Sequence, residues 1–134
     1  MTPNILVIED NPADVRLLRI AFDARGVPAQ FDAARDGAQA MELLDRIATH
    51  RAKRPNLVLL DLNLPKVKGD QILRHLKGQP ALADIPVVVL TTSDAPDDRA
   101  LCLALGAHDY MVKPTRFERL LALVARLEPL LVTE

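Results

Sequence analysis

The sequence predicts an α/β protein in which a doubly wound parallel sheet of five strands is covered by five helices. Two observations support this fold class. Short apolar runs of strand length recur along the 134 residues, and a segment with helical periodicity follows each of them. Strands that alternate with helices form parallel sheets with helices on both faces, and right-handed crossovers leave few topologies.

The first half of the chain predicts two strands and two helices. Residues 4–9 form an apolar run that Asn11-Pro12 ends, and the helix predicted at 12–25 has apolar residues at spacings of three and four. The segment 29–34 alternates apolar and polar residues, which suits a strand at the edge of the sheet. A second helix is predicted at 37–50, again with one apolar face.

The second half predicts three more strands and three more helices. Apolar runs predict strands at 56–61, 86–91 and 108–112. Helices are predicted at 68–78 and 96–105, with a glycine at or just after each end, and the last helix begins near Thr115. For a flavodoxin-like sheet of this kind we expect the strand order 2-1-3-4-5.

Size and composition exclude several classes of protein. The length predicts a single domain over residues 1–134, with no output domain after the last helix. The net charge of -1 gives no electrostatic reason to bind nucleic acid or an anionic membrane. Cys102 is the single cysteine, which fits a reducing compartment. No apolar stretch reaches the roughly 20 residues of a membrane span, so we expect a soluble cytoplasmic protein.

Four of the predicted strands end in residues with ionisable or hydroxyl side chains. Glu9-Asp10 follows the first strand, Asp61 the third, Thr91 the fourth and Lys113-Pro114 the fifth. In a doubly wound sheet, ligands bind beyond the carboxyl ends of the strands, at the point where the strand order reverses. With the order 2-1-3-4-5, that point lies between strands one and three. We therefore expect the three acids to meet there.

The three acids predict a site for a divalent cation. Neighbouring carboxylates raise one another's pKa unless a cation is present. Oxygen ligands favour Mg²⁺, with Mn²⁺ as an alternative. Thr91 can donate its hydroxyl to a phosphoryl oxygen, although taken alone it is equally an ordinary strand-end residue. Lys113 can neutralise phosphoryl charge, although an isolated lysine is more often simply an exposed residue. The bond between Lys113 and Pro114 is left open as cis or trans.

Together these motifs resemble those of a known family. The matching residues are Glu9-Asp10, Asp61-Leu62-Asn63-Leu64-Pro65, Gly69, Thr91 and Lys113-Pro114. Their order and spacing are similar to those of the receiver domain of two-component response regulators over essentially the whole chain. Leu90-Thr91-Thr92-Ser93 and the long connector from Gly78 to Pro86 look more like the single-domain regulators paired with bacterial and cyanobacterial phytochromes.

The resemblance implies a phosphoacceptor that signals rather than an enzyme with its own substrate. Asp61 would take a phosphoryl group from a sensor histidine kinase, with a phytochrome as one option. Thr91 and Lys113 would contact the phosphoryl oxygens. The ligands implied for Mg²⁺ are Asp10, Asp61, the backbone carbonyl of Asn63 and, through water, Glu9.

The resemblance also implies a switch. In the family, Thr91 and Tyr110 move together on phosphorylation and alter the face made by helix 4, strand 5 and helix 5. Thr92 stands where alanine is commonest, which leaves the rates of phosphorylation and dephosphorylation open.

Three other functions remain as alternatives. A phosphohydrolase of the haloacid dehalogenase type usually has a second aspartate two positions after its nucleophile, but Asn63 stands there and Asp61 is on the third strand, not the first. A flavin-binding module needs a phosphate-cradling loop after strand one, where Glu9-Asp10 would repel phosphate. A receiver-like binding module without phosphorylation would have lost an acid or the lysine, and none is lost.

The last helix and the residues after it predict a homodimer. Leu120, Val124 and Leu127 form a stripe that can cover the sheet, whereas Leu123 points off it. Pro129 should end or kink the helix near Glu128. Exposed apolar residues often mark an interaction surface, and a symmetric dimer is the commonest assembly. The alternative is that the tail folds back onto its own domain. The residues expected at the interface, on the helix 4–strand 5–helix 5 face, are Leu123, Leu130, Leu131 and Val132.

Overall fold

The computed structural model describes residues 2–131, and this range contains five strands and five α-helices in strict alternation. The predicted elements are all present, with ends that differ by at most two residues in the helices and one in the strands. The strands are β1 (Asn4–Ile8), β2 (Gln30–Ala34), β3 (Leu57–Leu60), β4 (Val87–Thr91) and β5 (Asp109–Val112). The helices are α1 (Pro12–Ala24), α2 (Gly37–Ala48), α3 (Gly69–Gly78), α4 (Pro96–Ala104) and α5 (Phe117–Leu127), followed by a 3₁₀ helix (Glu128–Leu131).

All strand pairs are parallel, and the order across the sheet is β2-β1-β3-β4-β5, which confirms the prediction. The three inner strands are buried along their whole length, as expected for continuous apolar runs with helices on both faces. β2 is mostly exposed, as its alternating sequence predicts for an edge strand.

Helices cover the sheet on both faces. Alternate residues of β1 separate to the two sides: Ile5 and Val7 pack with α1 and α5, and Leu6 and Ile8 pack with α2, α3 and α4. Between residues 2 and 131, no helix is long and apolar enough to cross a lipid bilayer.

At the open edge of β5, side chains bond to the backbone of Tyr110. The backbone N–H of Tyr110 donates to Asp109 Oδ1 at 2.7 Å, and its carbonyl oxygen accepts from Arg99 Nη1 at 3.2 Å. Arg126 Nη2 in turn donates to Asp109 Oδ2 at 2.6 Å. Asp109 and Arg99 therefore occupy the two backbone groups of Tyr110 that another strand would use, and Arg126 holds the Asp109 side chain in place.

The C-terminal segment corrects the prediction of exposed apolar residues there. Leu123 is only 7% exposed and Leu131 only 5%, and both belong to the core beneath α1 and α5. The apolar stripe of α5 is wider than a sheet-covering face requires because α5 also packs against α1. Pro129 ends the α-helix as predicted, and the 3₁₀ turn returns Leu131 to the core beside a half-buried Leu130. Val132 lies outside the described residues.

Candidate functional site

The ends of β1 and β3 bring the predicted acids together. Ile8 pairs with Leu60 in register, so Glu9 and Asp61 leave adjacent strands side by side. Glu9 is 5% exposed and Asp61 6%, whereas Asp10 is open to solvent. One carboxylate oxygen from each of the three residues lies within 4.8 Å of the other two. This set of hard oxygen donors fits a divalent cation such as Mg²⁺ or Mn²⁺.

The ammonium group of Lys113 meets these acids from the end of β5. Its Nζ donates to Asp61 Oδ2 at 3.1 Å, to Asp14 Oδ2 at 2.8 Å and to Glu9 Oε1. An ammonium group has three donors, so all of them are used by carboxylates. The lysine therefore offsets part of the negative charge of the cluster and holds its nitrogen next to Asp61.

The protonation of the site follows from burial and from these hydrogen bonds. Burial disfavours the charged form of Asp61, but hydrogen bonds from the Asn63 backbone and from Lys113 outweigh it, so its pKa lies below the ordinary value. Burial, reinforced by the charge of Asp61, raises the pKa of Glu9 to about 7 despite the bond from Lys113. Burial alone would lower the pKa of Lys113, but bonds to Asp14, Glu9 and Asp61 raise it. Of the two buried acids, Asp61 is thus the one held ionised at neutral pH.

The loop between β3 and α3 wraps closely around Asp61. The backbone N–H of Asn63 donates to Asp61 Oδ1 at 3.1 Å. Gly69, the first residue of α3, approaches the same turn, and its N–H donates to the carbonyl oxygen of Leu62 at 3.2 Å. A Cβ at position 69 would lie 2.5 Å from the Asp61 carbonyl oxygen, so only glycine allows this approach without a shift.

Thr91 ends β4 next to Asp61, and Tyr110 lies in the neighbouring strand β5. Thr91 is fully buried, and its backbone carbonyl accepts from the Lys113 N–H at 2.7 Å. The Tyr110 ring is buried as well, and its hydroxyl donates to the Ser93 carbonyl oxygen at 2.8 Å in the loop between β4 and α4. This loop therefore connects the end of β4 to the tyrosine of β5. At its other side, the Asn63 amide reaches the Thr92 hydroxyl at 3.5 Å.

Most of the predicted site residues converge at this end of the sheet. The structure brings together Glu9, Asp10, Asp61 and Lys113, with Thr91 and Asn63 next to them. The Lys113–Pro114 bond, which the sequence left open, is trans.

The sequence-based reasoning missed one participant, Asp14, which it interpreted only as a favourable acid in the first turn of α1. The helix begins immediately after the acid pair because Asn11 accepts a hydrogen bond from the Ala13 N–H and Pro12 is its first residue. This start at the carboxyl end of β1 was the available signal that Asp14 lies near the site.

The chain matches known proteins along nearly its whole length. The model of the response regulator receiver domain matches residues 5–125. The response regulator Rcp1 of Synechocystis is 38% identical over 125 residues, which cover 92% of this chain and 85% of Rcp1. The probable methanogenesis regulatory protein FilR2 of Methanothrix harundinacea is 40% identical over 116 residues, covering 87% of this chain and 75% of FilR2.

Solved structures agree. The phosphorylated cyanobacterial phytochrome response regulator RcpA has a TM-score of 0.87 at 38% identity, with 98% of this chain and 94% of RcpA covered. The Mn²⁺-bound form of Rcp1 has a TM-score of 0.85 at 37% identity, with 98% and 96% covered.

These matches favour the signalling protein over the phosphohydrolase and the flavin-binding module. Proteins of this kind accept a phosphoryl group on an aspartate with the help of Mg²⁺ or Mn²⁺, and a histidine kinase supplies it. They transmit a signal and do not turn over a substrate of their own. With the sheet order, the acid cluster and the lysine described above, this chain belongs to the response regulator receiver domain family.

Proposed function

We propose that Asp61 is the residue of this receiver domain that is phosphorylated. The observation that carries the proposal is the position of the Lys113 ammonium, 3.1 Å from Asp61 Oδ2, beside three acids whose oxygens lie within 4.8 Å of one another. Of the buried acids, Asp61 is the one with a lowered pKa, which keeps its carboxylate available as a nucleophile at neutral pH.

In the proposed reaction, an Asp61 carboxylate oxygen forms a P–O bond while the P–N bond of a kinase phosphohistidine breaks. Catalysis of such transfers consists mostly of positioning and of charge stabilisation. Lys113 neutralises one phosphoryl oxygen, and Thr91 donates its hydroxyl to another. The divalent cation supplies further positive charge when it is bound. We assign its ligands to Asp10, Asp61 and the backbone carbonyl of Asn63, with Glu9 acting through water.

The test is labelling with a small phosphodonor such as acetyl phosphate in the presence of Mg²⁺. The wild type should form an acid-labile acyl phosphate, and Asp61→Asn should not. Asp23→Asn, which changes an exposed aspartate of α1 that has no side-chain partner among residues 2–131, is the matched control and should label normally. Full labelling of Asp61→Asn would refute the assignment.

The signal is proposed to leave through the α4–β5–α5 face by way of Thr91 and Tyr110. Support comes from the loop that follows Thr91 and leads to α4. In this loop, the Ser93 carbonyl oxygen accepts a hydrogen bond from the Tyr110 hydroxyl. A shift of Thr91 toward a phosphoryl group would pull on the same loop. NMR amide shifts in α4, β5 and α5 should therefore change on phosphorylation of the wild type. In Tyr110→Ala these changes should be much smaller while Asp61 still labels.

We further propose that the chain works in the cytoplasm, paired with a phytochrome-type histidine kinase. Support comes from its similarity to the response regulator Rcp1 and to the phosphorylated cyanobacterial phytochrome response regulator RcpA. Phosphotransfer from a panel of histidine kinases should be fastest from a phytochrome kinase. Equal rates from unrelated kinases would speak against this pairing.

The α4–β5–α5 face also remains our proposed dimer interface, with different residues from those first expected, because Leu123 and Leu131 are buried. Val112 is 46% exposed there, and a groove of about 720 Å³ carries Arg99, Arg116, Arg119 and Arg126. A two-fold interface must be self-complementary. The first turn of α4, with Asp97 and Asp98, offers the opposite charge from a second copy.

The charge pairing predicts how the dimer can be broken and restored. Arg119→Glu should shift the wild-type dimer toward monomer in sedimentation experiments, and adding Asp97→Arg should restore part of the association. Arg16→Glu on α1 is the control. A wild type that remains monomeric at micromolar concentrations, phosphorylated or not, would refute the proposal.

A further inference from the structure

Asp14 contacts the site from a helix rather than from a strand end. Its Oδ2 accepts a hydrogen bond from Lys113 Nζ at 2.8 Å, shorter than the 3.1 Å from that nitrogen to Asp61. The Asp14 side chain is 32% exposed, and within residues 2–131 it has no other hydrogen-bond partner. Within the described residues, its carboxylate therefore bonds to Lys113 alone.

The other two partners of Lys113 have a second task. Glu9 and Asp61 belong to the cluster of acids that fits a divalent cation, whereas Asp14 does not. A divalent cation held by these residues would compete with the lysine for their oxygens, and phosphorylation would remove the carboxylate charge of Asp61. The contact with Asp14 is the one that neither event would remove.

We propose that Asp14 is the positioning residue of Lys113. It holds the ammonium group beside Asp61 while Glu9 and Asp61 give up their hydrogen bonds to the lysine, as the cation binds and the phosphoryl group arrives. The inference rests on the proposed function. Without Asp14, the long lysine side chain loses the anchor that remains during the reaction, and its nitrogen spends less time where the phosphoryl oxygens arrive.

The test is a double-mutant cycle between Asp14 and Lys113. Labelling rates at saturating Mg²⁺ and acetyl phosphate are measured for the wild type, Asp14→Asn, Lys113→Ala and the double variant. Asp14→Asn should slow labelling about fivefold, the size expected for a partly exposed ion pair. In the Lys113→Ala background, the same change should have no further effect. Asp14→Glu should restore most of the rate, and Asp23→Asn on the same helix should leave it unchanged.

A second measurement does not depend on labelling. The Lys113 ammonium group should give a protected NMR signal in the wild type with Mg²⁺, and Asp14→Asn should broaden or remove it. Equal effects of Asp14→Asn with and without Lys113 would overturn the inference, as would an unchanged ammonium signal. A wild type that fails to label would instead refute the proposed function, and the ammonium signal would still decide the role of Asp14.

Discussion

Two charged regions of the molecule, one at the carboxyl ends of the strands and one along the β5 edge, use their charges in opposite ways. At the ends of β1 and β3, Glu9 and Asp61 are buried, and a single ammonium group bonds to both of them. On the α4–β5–α5 face, the arginines lie open to solvent, and the pair Arg126–Asp109 is one of few contacts that hold them. The buried arrangement holds the reacting groups in fixed positions, whereas the exposed arginines can contact a partner.

Solvent explains why the two regions differ in energy. Removing one member of a buried, hydrogen-bonded charge pair leaves an uncompensated charge, which costs several kcal/mol. Exposed pairs are screened by water and salt and contribute less than about 1 kcal/mol. Substitutions in the acid–lysine site should therefore have large effects, and comparable substitutions on the arginine face should have small ones.

Among substitutions that leave Asp61 in place, the largest effect is expected for Lys113→Ala. Loss of a positioned cation next to the transferred group should slow labelling about a hundred- to a thousandfold, or up to about 4 kcal/mol. Mg²⁺ affinity in a titration should stay equal or rise, because the lysine no longer competes for Asp61. Lys66→Ala, which removes an exposed lysine paired with Asp36, is the control. Lost Mg²⁺ affinity with normal labelling would contradict this role.

The next effect is a pH dependence of stability from Glu9. Its pKa in the folded protein is about 7, above the ordinary 4.5, so its contribution to folding is complete below pH 4.5 and is lost as the pH rises through 7. Relative to Glu9→Gln, the cation-free wild type should lose about 3 kcal/mol of unfolding free energy across this window. Urea denaturation on either side of the window measures it.

Mg²⁺ should restore the stability lost at the upper end of that window, because the cation stabilises the ionised acids. Parallel pH profiles for the wild type and Glu9→Gln without the cation would show that Glu9 is not the titrating group.

A third and smaller effect is expected at Gly69. In Gly69→Ala the new Cβ would meet the backbone of Asp61 and Leu62 at 2.5 and 2.6 Å, which should destabilise the fold by about 2 kcal/mol. Labelling should also fall, because the turn that carries Asp61 must shift. Gly78→Ala is a matched control at the other end of α3, where a Cβ meets nothing within 4 Å. Equal stability of the two variants would refute the proposed close contact.

The smallest effect is expected on the arginine face. Arg126→Ala breaks the 2.6 Å pair with Asp109, yet the unfolding free energy should change by less than about 1 kcal/mol, and less still at high salt. Labelling of Asp61 should not change. If Arg126→Ala lowered the unfolding free energy as much as Gly69→Ala does, the proposed difference between the two regions would be wrong.

The sequence was most informative where local pattern and topology determine position. The apolar runs before Glu9 and Asp61 predicted buried strands, and the parallel order then required their ends to meet. The same reasoning brought Thr91 and Lys113 to that end of the sheet. These predictions needed only strand direction and strand order, both of which follow from alternation of strands with helices.

The errors and omissions involve contacts that depend on how helices pack. Lys113 and Asp14 are 99 positions apart, and their contact depends on the placement of α1 over the strand ends. Leu123 was expected to be exposed because the stripe of α5 was judged against the sheet alone, without α1. For Leu131, the 3₁₀ helix Glu128–Leu131 places the side chain in the core, which the apolar composition of the tail did not specify.

The side chains along β5 also bear on how the protein behaves at high concentration. An open strand edge is a template for strand-to-strand polymerisation. At Tyr110, however, Asp109 occupies the N–H and Arg99 the carbonyl oxygen, so an approaching strand finds both groups taken. Val112 can remain exposed for a side-chain contact while the backbone beside it resists aggregation. Changing Arg99 and Asp109 together should therefore lower the solubility of the protein more than it lowers the rate of phosphorylation.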